Sequence, residues 1–297
     1  MKSLLASVYS HARLPARQHI HFEVIANGLS CTKNFSSMYT GNCQFSTMGK
    51  SGSSSQDAIQ KEKEKPLRMT LEQSNRDSTI TYDKIDTWQD YFLKAKERLR
   101  KQFSDILGSK VPEDSYSVDP TLNKAISLWS GNITLLEIDA IVNAANKSLR
   151  GGGGVDGAIH SAAGPSLKAE CATLGGCEEG NSKITAGYRL PAKHVIHTVG
   201  PQGEKPEKLE SCYRTCLQVL TAKKLRSVAF PCISTGIYGY PQEAAAHVAL
   251  KTVRNFLEKN PGLIDRVIFC LFLKEDVKIY ENLMQVYFPI EDLKTNL

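Results

Sequence analysis

Apolar and polar positions change rhythm several times along this chain, and each change marks a predicted element. Between about Arg68 and Ser104, Trp88, Tyr91, Phe92 and Leu99 recur near helical spacing with Lys and Arg between them, which predicts a helix or two. Pro112 and Pro120 bound a loop. From about Asn123 short apolar runs begin to alternate with longer amphipathic ones. Residues 125–129 and 140–145 read as strands, 151–154 as a loop and 155–163 as the start of a helix. Residues 184–190 and 195–199 read as strands, and 207–225 as a helix. The apolar strand 228–233 runs into Ser234-Thr-Gly-Ile-Tyr-Gly-Tyr-Pro241. A helix over 242–258 is closed by Asn260-Pro261-Gly262. Residues 267–273 are continuously apolar, the pattern of a strand buried on both faces, and 276–287 form a last helix.

Strands alternating with helices imply a layered α/β domain with a largely parallel sheet. Ligands of such folds gather beyond the carboxyl ends of the strands. Two glycine-bearing loops stand at such ends, after Asn146 and after Ile233, where backbone N–H groups can approach a phosphate.

Composition narrows the picture. Hydrophobic residues make up 41% of the 297, enough for one sizeable core. The net charge of +6 is unevenly placed: residues 1–56 hold Lys2, Arg13, Arg17, Lys33 and Lys50 against Glu23 alone, so the rest is close to neutral. A broad basic face for nucleic acid is not supported. No run reaches the roughly 18 apolar residues of a membrane span. Eight cysteines are scattered without a C-x-x-C pair. Cys212 and Cys216 share a helix face, and the set is expected to be reduced structural thiols with no metal. Residues 1–22 are basic, Ser-containing and acid-free, with Leu4, Leu5 and Val8 on one stripe, the pattern of a mitochondrial transit peptide. The alternative is a tail of incidental charge on a cytoplasmic and nuclear protein. Residues 23–66, including Lys50-Ser-Gly-Ser-Ser-Ser55, read as linker. The expected organisation is therefore 1–66 as transit peptide and linker, 67–122 as a helical extension, and 123–289 as the α/β domain.

The first glycine loop formally matches a dinucleotide fingerprint, Gly152-x-Gly154-x-x-Gly157. That motif turns directly from strand to helix and has an acid about twenty residues on, at a strand end. Here Lys147-Ser-Leu-Arg150 intervenes, residues 173–178 read as helix or loop, and Asp156 inside the motif would repel a pyrophosphate. Hydride transfer on a Rossmann fold is thus disfavoured. A P-loop fails as well, because Gln44 stands where Gly49-Lys50-Ser51 needs its first glycine. What remains is a polar cluster on a flexible backbone: Asn143 and Asn146 at a strand end, and Asp156 and His160 four apart on one helix face. Asp156 reads equally as a first-turn charge favoured by the helix dipole. His160 reads as a ligand neighbour or as a residue that packs against and orients Asp156. His197, between Val195 and Val199 on one sheet face, reads as a core histidine. Trp88, Tyr91 and Phe92 read as packing, and Tyr238 and Tyr240 as exposed aromatics of a binding loop.

Four stretches in order, Val142-Asn-Ala-Ala-Asn146, Gly151-Gly-Gly-Gly-Val-Asp-Gly-Ala-Ile-His160, Leu190-Pro-Ala-Lys-His-Val-Ile-His-Thr-Val-Gly-Pro201 and Phe230-Pro-Cys-Ile-Ser-Thr-Gly-Ile-Tyr-Gly-Tyr-Pro241, closely resemble MacroD-type macrodomains. The resemblance covers about residues 123–289, and Arg68-Met-Thr-Leu-Glu72 is similar to the segment preceding that domain in animal members. It implies a three-layer α/β/α macrodomain with a mixed, largely parallel central sheet, preceded by a helical N-terminal extension. It also implies ADP-ribose as ligand, with removal of single ADP-ribose units from acidic side chains of proteins and deacetylation of O-acetyl-ADP-ribose as activities. On that pattern Asn143 and Asn146, with Ala144, would hold the distal ribose. Gly152, Gly153, Gly154 and Val155 would line it and the diphosphate. Asp156 and His160, with Asn143, would stand at the reacting carbon. Ser234, Thr235, Gly236, Ile237 and Tyr238 would wrap the diphosphate with backbone N–H groups, Tyr238 would also cover the ribose, and Phe272 would stack on adenine. Asn132 and Ile133 would flank the adenine. The family has Asp at position 132, and a neutral acceptor there is roughly half as strong as a charged one. The paired-glutamate signature of polymer-cleaving relatives is absent. No cofactor or metal is expected, the expected partners are ADP-ribosylated proteins, nucleic acid is expected only as ADP-ribosylated ends, and a monomer is expected.

Two readings follow. A hydrolase would use Asp156, tuned by His160, to orient or deprotonate water, with a substrate diphosphate oxygen able to share the base role. A reader would bind ADP-ribosylated proteins without turnover. The set Asn143, Asn146 and Asp156 discriminates them, because a reader does not need it.

Overall fold

The computed structural model describes residues 79–107 and 116–291. The expected transit peptide and linker, and the part of the extension before residue 79, lie outside the described residues. Strand β1 (Ile80–Thr81), a 3-10 turn (Tyr82–Lys84) and helix α1 (Trp88–Leu107) come first. Helix α2 (Pro120–Ala125) begins where Asp119 Oδ1 accepts from the N–H groups of Thr121 and Leu122, at 2.9 and 3.1 Å. Pro120 sits at its first position, which needs no N–H. There follow β2 (Ile126–Ser130), a 3-10 turn (Ile133–Leu135), β3 (Leu136–Glu137), β4 (Ala140–Ala144), α3 (Gly154–Ala163), α4 (Pro165–Thr173), β5 (Ser182–Ala186) and β6 (His194–Thr198). The chain continues through α5 (Pro206–Ala222), β7 (Ser227–Phe230), α6 (Gln242–Lys259), β8 (Arg266–Leu271) and α7 (Lys274–Tyr287).

Six strands form one sheet in the order β2-β8-β7-β4-β6-β5, and every neighbouring pair is parallel except β5–β6. Five carboxyl ends therefore line one edge. Side chains alternate across the sheet, so each strand feeds two cores. Ala140 and Val142 of β4 join Trp88, Phe92, Leu217, Val253 and Met284 in one. Ile141 joins Ile159, Leu167, Cys171 and Val195 in the other. The result is a sheet between two helical layers, α1, α5, α6 and α7 on one face and α3 and α4 on the other.

The aromatics of α1 pack as expected. Trp88 is fully buried, and its Nε1 donates to Phe288 O at 2.8 Å. Buried Glu281 of α7 accepts from Arg98 Nη1 and Nη2 at 2.8 and 2.7 Å, and from Tyr91 OH. Among the described residues all six cysteines are free thiols. Burial pushes Cys212 up to about 11 and Cys171 to about 12, so they stay protonated.

Several expectations are corrected. The strand expected over 184–190 stops at Ala186, because the chain turns at Gly187. A Cβ there would lie 1.8 Å from Ala192 O, and Tyr188 follows at φ +54°. The strands expected to end at Ile233 and Leu273 end at Phe230 and Leu271, where pairing with their neighbours stops. Helix α4 was not expected. It turns inward not only Leu167 and Cys171 but also Glu170, whose Oε2 accepts from Ala186 N (3.0 Å) and Tyr188 OH (2.7 Å). An inward acid breaks the apolar rhythm that marks a helix.

Candidate functional site

The site builds on the edge formed by the five parallel carboxyl ends. Asn143 is the penultimate residue of β4 and fully buried. After β4 the chain turns through Ala145–Gly153, and Asn146 holds that turn. Its Nδ2 donates to Gly151 O (2.8 Å), and its Oδ1 accepts from Ser148 N (3.1 Å) and Ser148 Oγ (2.6 Å). Helix α3 then begins at Gly154 with no side-chain cap, leaving its first N–H groups to the loop side. It settles onto the glycines only because its fourth residue is Gly157: a Cβ there would stand 2.5 Å from Gly152 O.

That docking sends Asp156 inward. The residue is 4% exposed, deeper than an ordinary first-turn charge. Asn143 Nδ2 donates to its Oδ1 at 2.8 Å, and Asn146 Nδ2 approaches Oδ2 at 3.4 Å. One turn on, His160 Nε2 lies 3.4 Å from Asp156 Oδ1. Among the described residues both ring nitrogens of His160 are buried without a hydrogen-bond partner, so it stands beside the acid with its hydrogen-bonding capacity unused. Burial raises the Asp156 carboxyl above its usual value, offset in part by the Asn143 bond and by His160. Burial lowers His160 despite the attraction of Asp156. Burial thus moves the two groups in opposite directions, the carboxyl up and the imidazole down, and at neutral pH the imidazole is uncharged.

The second loop follows β7. Ser234 turns it with φ +68° and a buried Oγ that has no partner among the described residues, and Tyr240 N donates back to Ser234 O at 3.0 Å. Tyr238 is half-buried and its carbonyl accepts from Gly203 N at 2.8 Å. Tyr240, expected to be exposed, is instead buried under the loop at 2% exposure. The turn that presents Tyr238 carries Tyr240 into the core. Ile237 is 87% exposed, yet its Cδ1 is 3.5 Å from where a Cβ on Gly153 would be, so the two loops face each other.

A third cluster lies at the β2–β8 end. Ser130 and Leu271 pair in register, so Asn132 and Phe272 emerge together just beyond them. Phe272 is 86% exposed, unusual for a large aromatic ring and suited to a flat ligand. Asn132 Oδ1 caps the following 3-10 turn, accepting from Thr134 N (3.1 Å) and Thr134 Oγ1 (2.8 Å). Ile133 is in the core, so only its backbone faces outward. The structure therefore aligns three groups along one edge: the Phe272–Asn132 end, the glycine-bearing loop at 234–240, and the Asn143–Asp156–His160 cluster behind the loop at 151–154. What the sequence reading missed is the layer below. His197 lies opposite Asn143 in β6, with its Nδ1 3.1 Å from Asn143 Nδ2. Only strand pairing between residues 54 apart brings them together, and no local signal announces it.

Comparison with known proteins gives one consistent result. The Macro domain family model matches residues 142–249. The chain is 49% identical over 237 residues to the ADP-ribose glycohydrolase MACROD2 of Mus musculus, covering 78% of this chain and 49% of that protein. It is 53% identical over 206 residues to the ADP-ribose glycohydrolase MACROD1 of Rattus norvegicus, covering 67% and 80%. The chain thus spans about half the length of its MACROD2 relatives. Among solved structures, the Trypanosoma brucei macrodomain in complex with ADP-ribose aligns with a TM-score of 0.61 at 37% identity, covering 79% of this chain and 91% of that one.

Proposed function

The chain belongs to the macrodomain family, of the MacroD type, and from that premise we propose that it is an ADP-ribose hydrolase. It removes single ADP-ribose units from acidic side chains of proteins and deacetylates O-acetyl-ADP-ribose. The observation that carries this reading is the buried Asp156 carboxyl group, held by Asn143 and flanked by His160, behind two glycine loops that face each other. A module that only bound ADP-ribose would gain nothing from a desolvated carboxylate near a diphosphate. In this reading Phe272 stacks on adenine, the backbone of residues 234–238 and the start of α3 hold the diphosphate, and Asn143 and Asn146 with Gly152–Gly154 hold the distal ribose. Asp156 orients the attacking water or takes its proton, and neutral His160 completes that pocket. The domain that does this is 123–289, with 67–122 as its helical extension. Residues 1–22 direct mitochondrial import, and 23–66 are linker.

The test is release of free ADP-ribose from a protein labelled on glutamate, run beside serine-linked and O-acetyl substrates. Release from the glutamate ester and from O-acetyl-ADP-ribose, with serine linkages intact, is the expected outcome. Binding of ADP-ribose without any release would leave a reader in its place. Import is tested separately by fusing residues 1–60 to a fluorescent protein, and a diffuse cytosolic signal would refute it.

A further inference from the structure

We propose that His197, buried beneath the candidate site and paired with Asn143 across β6 and β4, is a positioning residue that fixes which way the Asn143 amide faces. The hydrogen bonds allow only one polarity. Asn143 Nδ2 lies 2.8 Å from Asp156 Oδ1 and 3.1 Å from His197 Nδ1. A carboxylate only accepts, so the amide atom facing Asp156 is the nitrogen. Its two hydrogens then serve Asp156 and His197, and Nδ1 receives one with its lone pair. The ring proton is therefore on Nε2, which stands 3.0 Å from Thr185 Oγ1. Thr185 Oγ1 donates in turn to Ala186 O at 3.2 Å. The chain has one direction, and the strand backbone of β5 terminates it.

Two consequences follow. Asn143 Oδ1 is left as a buried acceptor with no partner among the described residues, so the group that meets it must be a donor, such as a ribose hydroxyl or a water. Without an acceptor at Nδ1, one amide hydrogen would be buried unpaired, and the amide would rotate away from this setting. Burial, with His160 nearby, holds His197 down at about 3, so the lone pair persists across the neutral range. The same polarity bears on the His160, Cys171 and His197 triangle, whose ligand-type atoms lie within 4.8 Å of one another. A protonated Nε2 has no lone pair for an ion, so this cluster reads as part of a hydrogen-bond chain.

The inference rests on the reading of Asn143 as a substrate-facing residue, and the experiment separates the two. His197→Asn keeps an acceptor near the Nδ1 position, while His197→Phe keeps a flat ring and removes it. Each is made in the full chain and again with Asn143→Ala, and release rate on a glutamate-linked substrate and ADP-ribose affinity are both measured. His197→Phe is expected to lower rate and affinity by about tenfold each in the parent, and His197→Asn by no more than about threefold. On the Asn143→Ala background His197→Phe should change either by less than about twofold, because it acts through an amide no longer there. Equal losses on both backgrounds, or His197→Asn as damaging as His197→Phe, would overturn the proposal. If His197→Phe does not fold, Thr185→Val carries the same cycle. It removes the oxygen partner of Nε2, leaving Cys171 Sγ at 3.6 Å, and should cost about threefold in the parent and nothing beside Asn143→Ala, and equal loss in both overturns the idea. If the parent binds ADP-ribose but releases none, the hydrolase reading fails while the affinity cycle still decides the role of His197.

Discussion

At the scale of single residues, the proposed chemistry centres on Asp156. A carboxylate near a diphosphate is repelled in the ground state, so its contribution belongs to the transition state. Asp156→Ala is expected to lower single-turnover release by about 10²-fold or more and ADP-ribose affinity far less, measured by quench and calorimetry. Equal collapse of both would make it a binding residue first. The pH dependence has a definite sign. Burial raises the folded carboxyl above 3.8, and ionised Asp156 is the active form in the proposed mechanism, so the rate should fall as pH drops through a value above 3.8. Folding stability from this group runs the other way: it is fully present below the unfolded value and declines as pH rises through the window up to the raised one. His160 is lowered from 6.5, so a pH–rate profile should show no step near 6.5. A bell centred there would mean an imidazolium takes part. At the β2–β8 end, the proposed adenine site, Asn132 uses its oxygen to cap the 3-10 turn. A carboxylate in Asn132→Asp keeps that cap with one oxygen and offers the other to adenine, so ADP-ribose should bind tighter by about 1 kcal/mol. Unchanged affinity would remove position 132 from the ligand.

At the scale of elements, the way α3 sits on the first glycine loop sets the geometry of everything above it. Gly157 is where that docking is closest, 2.5 Å from a would-be Cβ to a backbone oxygen that has no flexible end to yield. Gly157→Ala should cost about 1–3 kcal/mol of stability and weaken ADP-ribose binding, because Asp156 moves with the helix. A Cβ on Gly236, in the second loop, would meet nothing within 4 Å among the described residues, so this glycine serves as the comparison. Gly236→Ala should unfold within about 0.5 kcal/mol of the parent in denaturant titration. If both substitutions behave alike, helix docking does not determine the site.

At the scale of the whole molecule, α1 is part of the domain core. Trp88 is fully buried between α1 and the end of α7, and its indole N–H meets Phe288 O. Trp88→Ala removes a large core side chain and leaves that carbonyl unpaired, at a cost of about 3–5 kcal/mol. The unfolding transition should shift as one, in near-UV dichroism and tryptophan fluorescence alike. A separate early transition, with the rest unmoved, would make α1 an appendage. By the same argument a fragment of residues 123–289 should bind ADP-ribose yet unfold earlier than the full chain.

The order of strands and helices was legible in the apolar rhythm, because each element with one buried face repeats its apolar residues at its own period. The two glycine loops, and the Asn143–Asp156–His160 set, were legible as motifs whose residues lie within eighteen positions of one another. Tertiary structure alone decided the rest. Tyr240 and Tyr238 have similar local sequence, and only the fold of the loop buries one and leaves the other partly exposed. Helix α4 hides Glu170 against β5, a partner that the local pattern does not contain. Strand ends follow where a neighbour stops pairing, which depends on that neighbour. His197 meets Asn143 only when β6 is laid beside β4 in register. Local periodicity records which face of an element is buried. It carries no record of what lies on the other side of the contact, and the polarity of the buried hydrogen-bond chain is set there.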